Sequence, residues 1–179
     1  MKLAVVAYPD LDEEDRQWIE AYRRAHDPQA TRIAAHFTLV FPLDAAVNDV
    51  EPEVQDVARA TQPIRFAIRD AKAVPDKLSN ATHVFLVPDE GGLQIAKLHG
   101  DLYAGRLRVH LRSDIPFIPH MTVGAAQDLA SAERLASEVW RRRRVVYGTI
   151  SNLHVIDVVN KHVRTVGTYL LGNTAGAVG

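Results

Sequence analysis

An α+β fold, with helices laid outside two mainly antiparallel sheets, is predicted by three features of this 179-residue sequence. Apolar runs with strand alternation are interleaved with helical stripes. The order strand, helix, motif strand, helix, strand runs through the first half and restarts in the second. A short polar signature, His-apolar-Thr-apolar, also recurs inside apolar context. Ala35-His36-Phe37-Thr38-Leu39-Val40-Phe41-Pro42 is answered by Pro119-His120-Met121-Thr122-Val123-Gly124. The copies sit roughly half a chain apart, as a duplicated lobe requires.

Taken in order, Lys2–Tyr8 reads as a first strand, rich in Val and Ala and closed by Pro9. Asp10 with Glu13 resembles a capping box. Leu11, Trp18, Tyr22 and Ala25 then form an apolar stripe, with Trp18 as a core anchor, and Asp27-Pro28 stops the helix. Pro42–Asn48 reads as a loop after the first motif strand and Glu51–Ala60 as a helix. Ile64–Val74 alternates as a strand, with Ile64, Phe66 and Ile68 on one face and Arg65 and Arg69 on the other. Pro75-Asp76-Lys77-Leu78-Ser79-Asn80 is the strongest turn and marks a lobe boundary near 75–81. After it come a strand over Thr82–Val87, a helix over Gly91–Tyr103 and the second motif strand. Asp128 or Ser131 caps a further helix striped by Ala132, Leu135, Ala136, Val139 and Trp140. Strands over Val145–Thr149, Leu153–Val159 and Val163–Leu171 follow, the last two joined by a hairpin turn at Asn160-Lys161. The expected organisation is one domain over 1–172 and a flexible Gly/Ala-rich tail over 173–179.

Composition excludes several classes of function. Net charge is −1, so no global field recruits nucleic acid, and an RNA substrate must be small or locally gripped. With no cysteine there are no disulfides, thiolate nucleophiles or Cys-based metal sites. The run Leu3–Tyr8 is too short for a signal-peptide core, and no run approaches membrane-spanning length. A cytoplasmic protein away from membranes, with no obligate protein partner, is expected.

Alternation along a strand places His36 and Thr38 on one face and Phe37 and Leu39 on the other. His120 and Thr122 are separated from Met121 and Val123 in the same way. A strand that buries its apolar residues thus presents an imidazole beside a hydroxyl. Two such strands facing each other make one site with two acid/base groups and two hydroxyl donors. The competing reading is two unrelated half-buried strands that carry polar pairs by chance. Neutral histidine accepts a proton and charged histidine donates one. Two histidines flanking a phosphate can therefore divide a displacement at phosphorus, one deprotonating the nucleophile and the other protonating the departing oxygen. The hydroxyls can donate to the non-bridging oxygens as charge develops there. This chemistry needs neither a metal nor another cofactor.

The repeated motif resembles the two-histidine (2H) phosphoesterase superfamily, and its flanks look most like the 2′-5′ RNA ligase-like branch. The matching pieces are His36-Phe37-Thr38-Leu39-Val40-Phe41-Pro42, Ala25-His26-Asp27-Pro28 and Pro116-Phe117-Ile118-Pro119-His120-Met121-Thr122-Val123. The resemblance implies two pseudo-symmetric lobes around a central cleft, with His36, Thr38, His120 and Thr122 as the catalytic set. It also implies hydrolysis of a 2′,3′-cyclic phosphate or related phosphodiester, or reversible formation of a 2′-5′ linkage. Substrates would be RNA 3′ ends or small cyclic nucleotides. Many members carry a basic residue after the second motif, where this chain has Ala125-Ala126-Gln127. Arg108 and Arg112, ahead of that motif, are candidates to replace it. Phe117 is a candidate to stack on a nucleobase, against its ordinary use in core packing. Arg141–Arg144, after a helix, reads as a solvated basic run. His26, His83, His99, His110, His154 and His162 read as structural or exposed.

Two other readings compete. A metal-dependent phosphoesterase would use His36 and His120 as ligands, but it would normally recruit carboxylates, and the motif strands hold none. A non-catalytic nucleotide- or RNA-binding module would keep the cleft without needing two titrating histidines. Against it stand the absence of a basic excess and of paired sheet aromatics.

Overall fold

Helix and strand boundaries follow from local chemistry. The computed structural model describes residues 1–76, 80–141, 145–159 and 162–172. Strands are β1 (Lys2–Ala7), β2 (Asp10–Leu11), β3 (Phe37–Asp44), β4 (Ile64–Pro75), β5 (Thr82–Glu90), β6 (Met121–Ala126), β7 (Val146–Ile150), β8 (Asn152–Val159) and β9 (His162–Leu170). Helices are α1 (Glu13–His26), α2 (Val47–Ala60), α3 (Gly92–Leu102) and α4 (Leu129–Arg141), with a 3₁₀ turn over Arg106–His110. The Asp12 carboxylate accepts from the Asp15 N–H at 2.7 Å, so Asp12 rather than Asp10 caps α1. Asp10 instead pairs with Thr149 in β2. Glu13, Glu14 and Asp15 open α1 and Arg23, Arg24 and His26 close it, matching the helix dipole at both ends. At α4, Asp128 accepts from the Ser131 N–H at 2.8 Å. Gly91, ahead of α3, adopts a left-handed φ of 79° with the Arg65 carbonyl only 2.3 Å from where a Cβ would lie.

The strands form one antiparallel sheet in the order β2-β7-β4-β5-β6-β3-β1-β8-β9. The two expected sheets are thus joined edge to edge, and the joint is narrow: β3 and β6 share the single pair Phe37↔Met121. On one side lie β3, β1, β8 and β9, with α2 packed on β8 and β9. On the other lie β6, β5, β4, β7 and β2, with α4 packed on β4, β5 and β6 and α1 on β6. Leu3, Val5, Phe37, Leu39, Val84, Leu86, Met121, Val123, Leu153 and Val155 turn toward the helices and make the core. The opposite face carries the intervening residues. A smaller apolar cluster of Ala4, Val6, Ile33 and Ile156 lies there, so the segment after α1 folds over this face through Ile33.

Several boundaries differ from expectation. The first motif strand continues to Asp44 because Lys2 and Leu3 of β1 pair with Asp44 and Leu43, where a loop was expected from Pro42. As a result α2 begins at Val47 rather than Glu51. The turn expected between lobes connects β4 to β5, which pair directly from Pro75↔Thr82 onward. Residues 77–79, the turn Asn160-Lys161, the tail 173–179 and Arg142–Arg144 of the basic run lie outside the described residues.

Candidate active site

His36 and His120 each stand one residue ahead of a strand, on the two strands that meet at the narrow joint. Extending the Phe37↔Met121 register by one residue in each direction sets His36 opposite Thr122 and Thr38 opposite His120. On that extension directly opposed residues have Cβ atoms about 5 Å apart, which would bring the two imidazoles and two hydroxyls into a compact diagonal quartet, and the charge of His36 is felt at His120. Phe37 and Met121, between them, are buried at 1% and 0% exposure and anchor both backbones in the core. All four polar side chains are half-buried on the helix-free face.

The two histidines are held alike. Nδ1 of His36 lies 2.8 Å from the Ala34 carbonyl, and Nδ1 of His120 lies 2.5 Å from the Ile118 carbonyl, in each case two residues back. A carbonyl only accepts, so each Nδ1 carries the proton and donates. This leaves both Nε2 atoms outside that tether, each basic when its ring is neutral and donating when it is charged.

The flanks differ. His120 stacks on Phe85 of β5 with centroids 3.5 Å apart and planes at 17°, and His83 lies parallel to Phe85 at 6.0 Å. His36 meets Tyr8 edge to face at 6.2 Å, and Tyr8 meets His154 of β8 at 4.9 Å. Burial lowers the pKa of both motif histidines. His120 is pushed down to about 4, chiefly by desolvation, opposed by the Ile118 carbonyl and aided by the charges of His36 and His83. His36 is lowered by desolvation, against the Ala34 carbonyl; Arg23 lowers it further, while Asp27 and Glu20 raise it.

A buried ionic cluster holds the approach to His36. Arg23, 1% exposed, bonds Asp27 through Nε at 3.0 Å and through a terminal nitrogen at 2.9 Å, and pairs with Glu20 at 3.1 Å. Glu20 in turn accepts from the Ala35 N–H at 2.6 Å, one residue ahead of His36. Spaced at i, i+3 and i+7, these three residues share one face of α1 and its cap.

The weaker candidates sit elsewhere. Phe117 stacks on His99 at 3.7 Å with planes at 2°, and buried His99 bonds the Leu39 carbonyl at 2.7 Å. That contact ties Phe117 to α3 and the core cluster. Arg112 is exposed and paired with Asp114 at 2.7 Å, and Arg108 is exposed on the 3₁₀ turn. Among the described residues, no hydrogen bond, ion pair or ring contact joins Phe117, Arg108 or Arg112 to the quartet. No group of three or more His, Asp or Glu side chains there is arranged to hold a metal ion. A groove of about 770 Å³ lined by Thr61, Arg65 and Lys97 does not include the histidines. Tyr8, Phe85, His83 and His154 surround the quartet, and sequence reading missed them as site residues. The signal for two of them was present in β5, where Thr82, Val84 and Leu86 are buried while His83 and Phe85 alternate with them.

A duplicated His-x-Thr pair converging on one face of a two-halved antiparallel sheet defines a class, the two-histidine phosphoesterases. Residues 11–162 match the model of the 2′-5′ RNA ligase superfamily, and the chain belongs to that family. It is 26% identical over 137 residues to GK0864 of Geobacillus kaustophilus, provisionally named a phosphoesterase, with 74% of this chain and 73% of that protein covered. Its fold is shared with TT0787 of Thermus thermophilus, at a TM-score of 0.63 and 18% identity over 96% of this chain and 98% of that one. It is also shared with Escherichia coli LigT complexed with 3′-AMP, at 0.54 and 20% identity, covering 95% and 97% of the chains. Usb1 of Kluyveromyces marxianus gives 0.55 at 11% identity, covering 92% and 97%.

Proposed function

We propose that the protein is a metal-independent phosphoesterase acting on 2′,3′-cyclic phosphate or 2′-5′ phosphodiester bonds of RNA ends or small nucleotides. The same site would form such bonds in reverse, by microscopic reversibility. One observation supports the reading: β3 and β6 pair at Phe37↔Met121, the residues inside the two His-x-Thr units, and the Nδ1 of each imidazole is tethered to a backbone carbonyl. Of His36 and His120, one takes the proton of the attacking water or hydroxyl through Nε2, and the other gives a proton to the departing ribose oxygen. Thr38 and Thr122 donate to the non-bridging oxygens, where charge must be stabilised. A 2′,3′-cyclic phosphate suits so small a set, because its ring is strained and its leaving oxygen is held in place. Family membership and the nucleotide-complexed fold relative support this substrate class.

The test is a screen of nucleoside 2′,3′-cyclic phosphates and 2′-5′ dinucleotides after exhaustive chelation, with His36→Ala as control. Turnover that survives chelation and falls by about 10²–10⁴ in the variant is expected. Loss on chelation with recovery on one divalent metal would replace the acid–base pair by a metal site. Tight binding without turnover would leave a binding module.

A further inference from the structure

The cleft face continues well beyond the quartet, and the two register lines that leave it differ in that one reaches a lysine. From Thr122 of β6 the register runs to Phe85 of β5 and on to Lys72 of β4. From Thr38 of β3 it runs the other way to Val6, His154 and Thr168, a line with no permanent charge. Paired residues point to the same face, so Lys72 stands in line with the quartet, two strand spacings or about 10 Å from Thr122. The face of Phe85 toward His120 is covered by that imidazole, so what this flank offers a ligand is charge more than a stacking surface. The Lys72 side chain is 56% exposed, and its ion pair to Asp70 is long at 3.7 Å, with Asp70 itself 55% exposed. Such a pair holds little energy and yields readily to a stronger anion. His83, on the same strand and face as Phe85, lies 3.6 Å from Asp76.

We propose that the β4–β5 flank is a subsite for a second phosphate of the substrate, with Lys72 as its cationic contact. This rests on the phosphoesterase reading above and narrows its substrate class to cyclic phosphodiesters that carry a further phosphate. With the reacting phosphate over the quartet, a lysine about 10 Å along the register from Thr122 meets a phosphate one nucleotide's span away. That phosphate is either on the 5′ carbon of the same nucleoside or in the next linkage of an oligonucleotide.

Three substrates separate these cases: adenosine 2′,3′-cyclic phosphate, its 5′-phosphorylated form, and an adenosine dinucleotide ending in a cyclic phosphate. The unmodified protein is expected to prefer one or both of the substrates that carry a second phosphate, and to lose that preference as salt rises. Lys72→Gln should lower kcat/KM on the preferred substrate about two- to five-fold, the range for one exposed charge pair, and act through KM. It should reduce the slope of log kcat/KM against log salt by about 0.7, the value for one contact to a single strand, and leave the singly charged substrate unchanged. A gain confined to the dinucleotide assigns the subsite to RNA ends, and one confined to the 5′-phosphate assigns it to small nucleotides. An equal effect of Lys72→Gln on all three substrates, or none on any, overturns the subsite while the enzyme stands. Inactivity of the unmodified protein on all three overturns the function and the subsite together.

Discussion

At the scale of the residue, the two histidines favour the neutral form in the free protein. Desolvation lowers both below the ordinary value of 6.5, His120 to about 4. A neutral pair supplies a general base at once but no general acid. A phosphate anion placed between them changes this, since an opposite charge at close range favours the protonated form. On the proposed mechanism, the proton for the departing oxygen would therefore be taken up as substrate binds. The sign of the pH dependence follows. Since kcat/KM reports the free enzyme, its alkaline limb should lie below 6.5 and activity should fall as pH rises through it. In kcat, which reports the complex, the same limb should move to higher pH. Profiles of both parameters from about pH 4 to 9, spanning the histidine reference value, check this. A kcat/KM limb above 6.5 would mean that the free site does not depress its histidines. The motif pair itself was legible in the sequence because His36, Thr38, His120 and Thr122 sit at period two in apolar runs. Their flanking side chains were not. Tyr8 follows the end of β1 and His154 lies on β8, both distant in sequence from the motif they adjoin, and only the pairing of β1 with β3 and β8 brings them together.

Among the elements, α1 and the segment after it decide where His36 stands. The apolar stripe made this helix readable, but it drew attention to Trp18 and Tyr22 and away from the charged positions. Trp18 does pack against the core, with its indole N–H donating to Asp15 at 2.9 Å. Charged residues on a helix normally read as a solvated face, yet Arg23 is 1% exposed and bridges Glu20 and Asp27. Burial of a guanidinium is tolerable because both carboxylates bond it, and those carboxylates also hold the backbone at Ala35 and Gln29. Arg23→Met keeps the length of the side chain and strands two carboxylates without their cation. It should cost about 3–5 kcal/mol of stability, read as a shift in denaturant midpoint. A loss below about 1 kcal/mol, typical of an exposed pair, would show that the cluster does not hold this segment. The strand lengths were harder to read. Pro42 suggested a loop, whereas β3 tolerates it within the strand because pairing with β1 continues at Leu43 and Asp44.

For the whole molecule, the duplicated order of elements was visible in the sequence, and with it an antiparallel α+β architecture. The exchange of elements between the halves was not. β8 and β9, last in the chain, extend the sheet beside β1, while β7 pairs with β4. Local periodicity says nothing about which distant strands become neighbours. The outcome of that topology is a sheet whose halves touch at Phe37↔Met121, with one His-x-Thr unit contributed from each side. The account stands or falls on whether the two histidines divide the labour of acid and base. His36→Ala and His120→Ala, each assayed on a natural ribonucleotide diester and on a nitrophenyl diester, measure this most directly. Nitrophenolate is a weak base that leaves without a proton, whereas attacking water still needs deprotonation. Both variants should lose about 10²–10⁴ on the natural diester, and one of them should recover most of its rate on the nitrophenyl substrate, which identifies the acid. Equal losses by both variants on both substrates would contradict the division and leave His36 and His120 as joint binders of the phosphate.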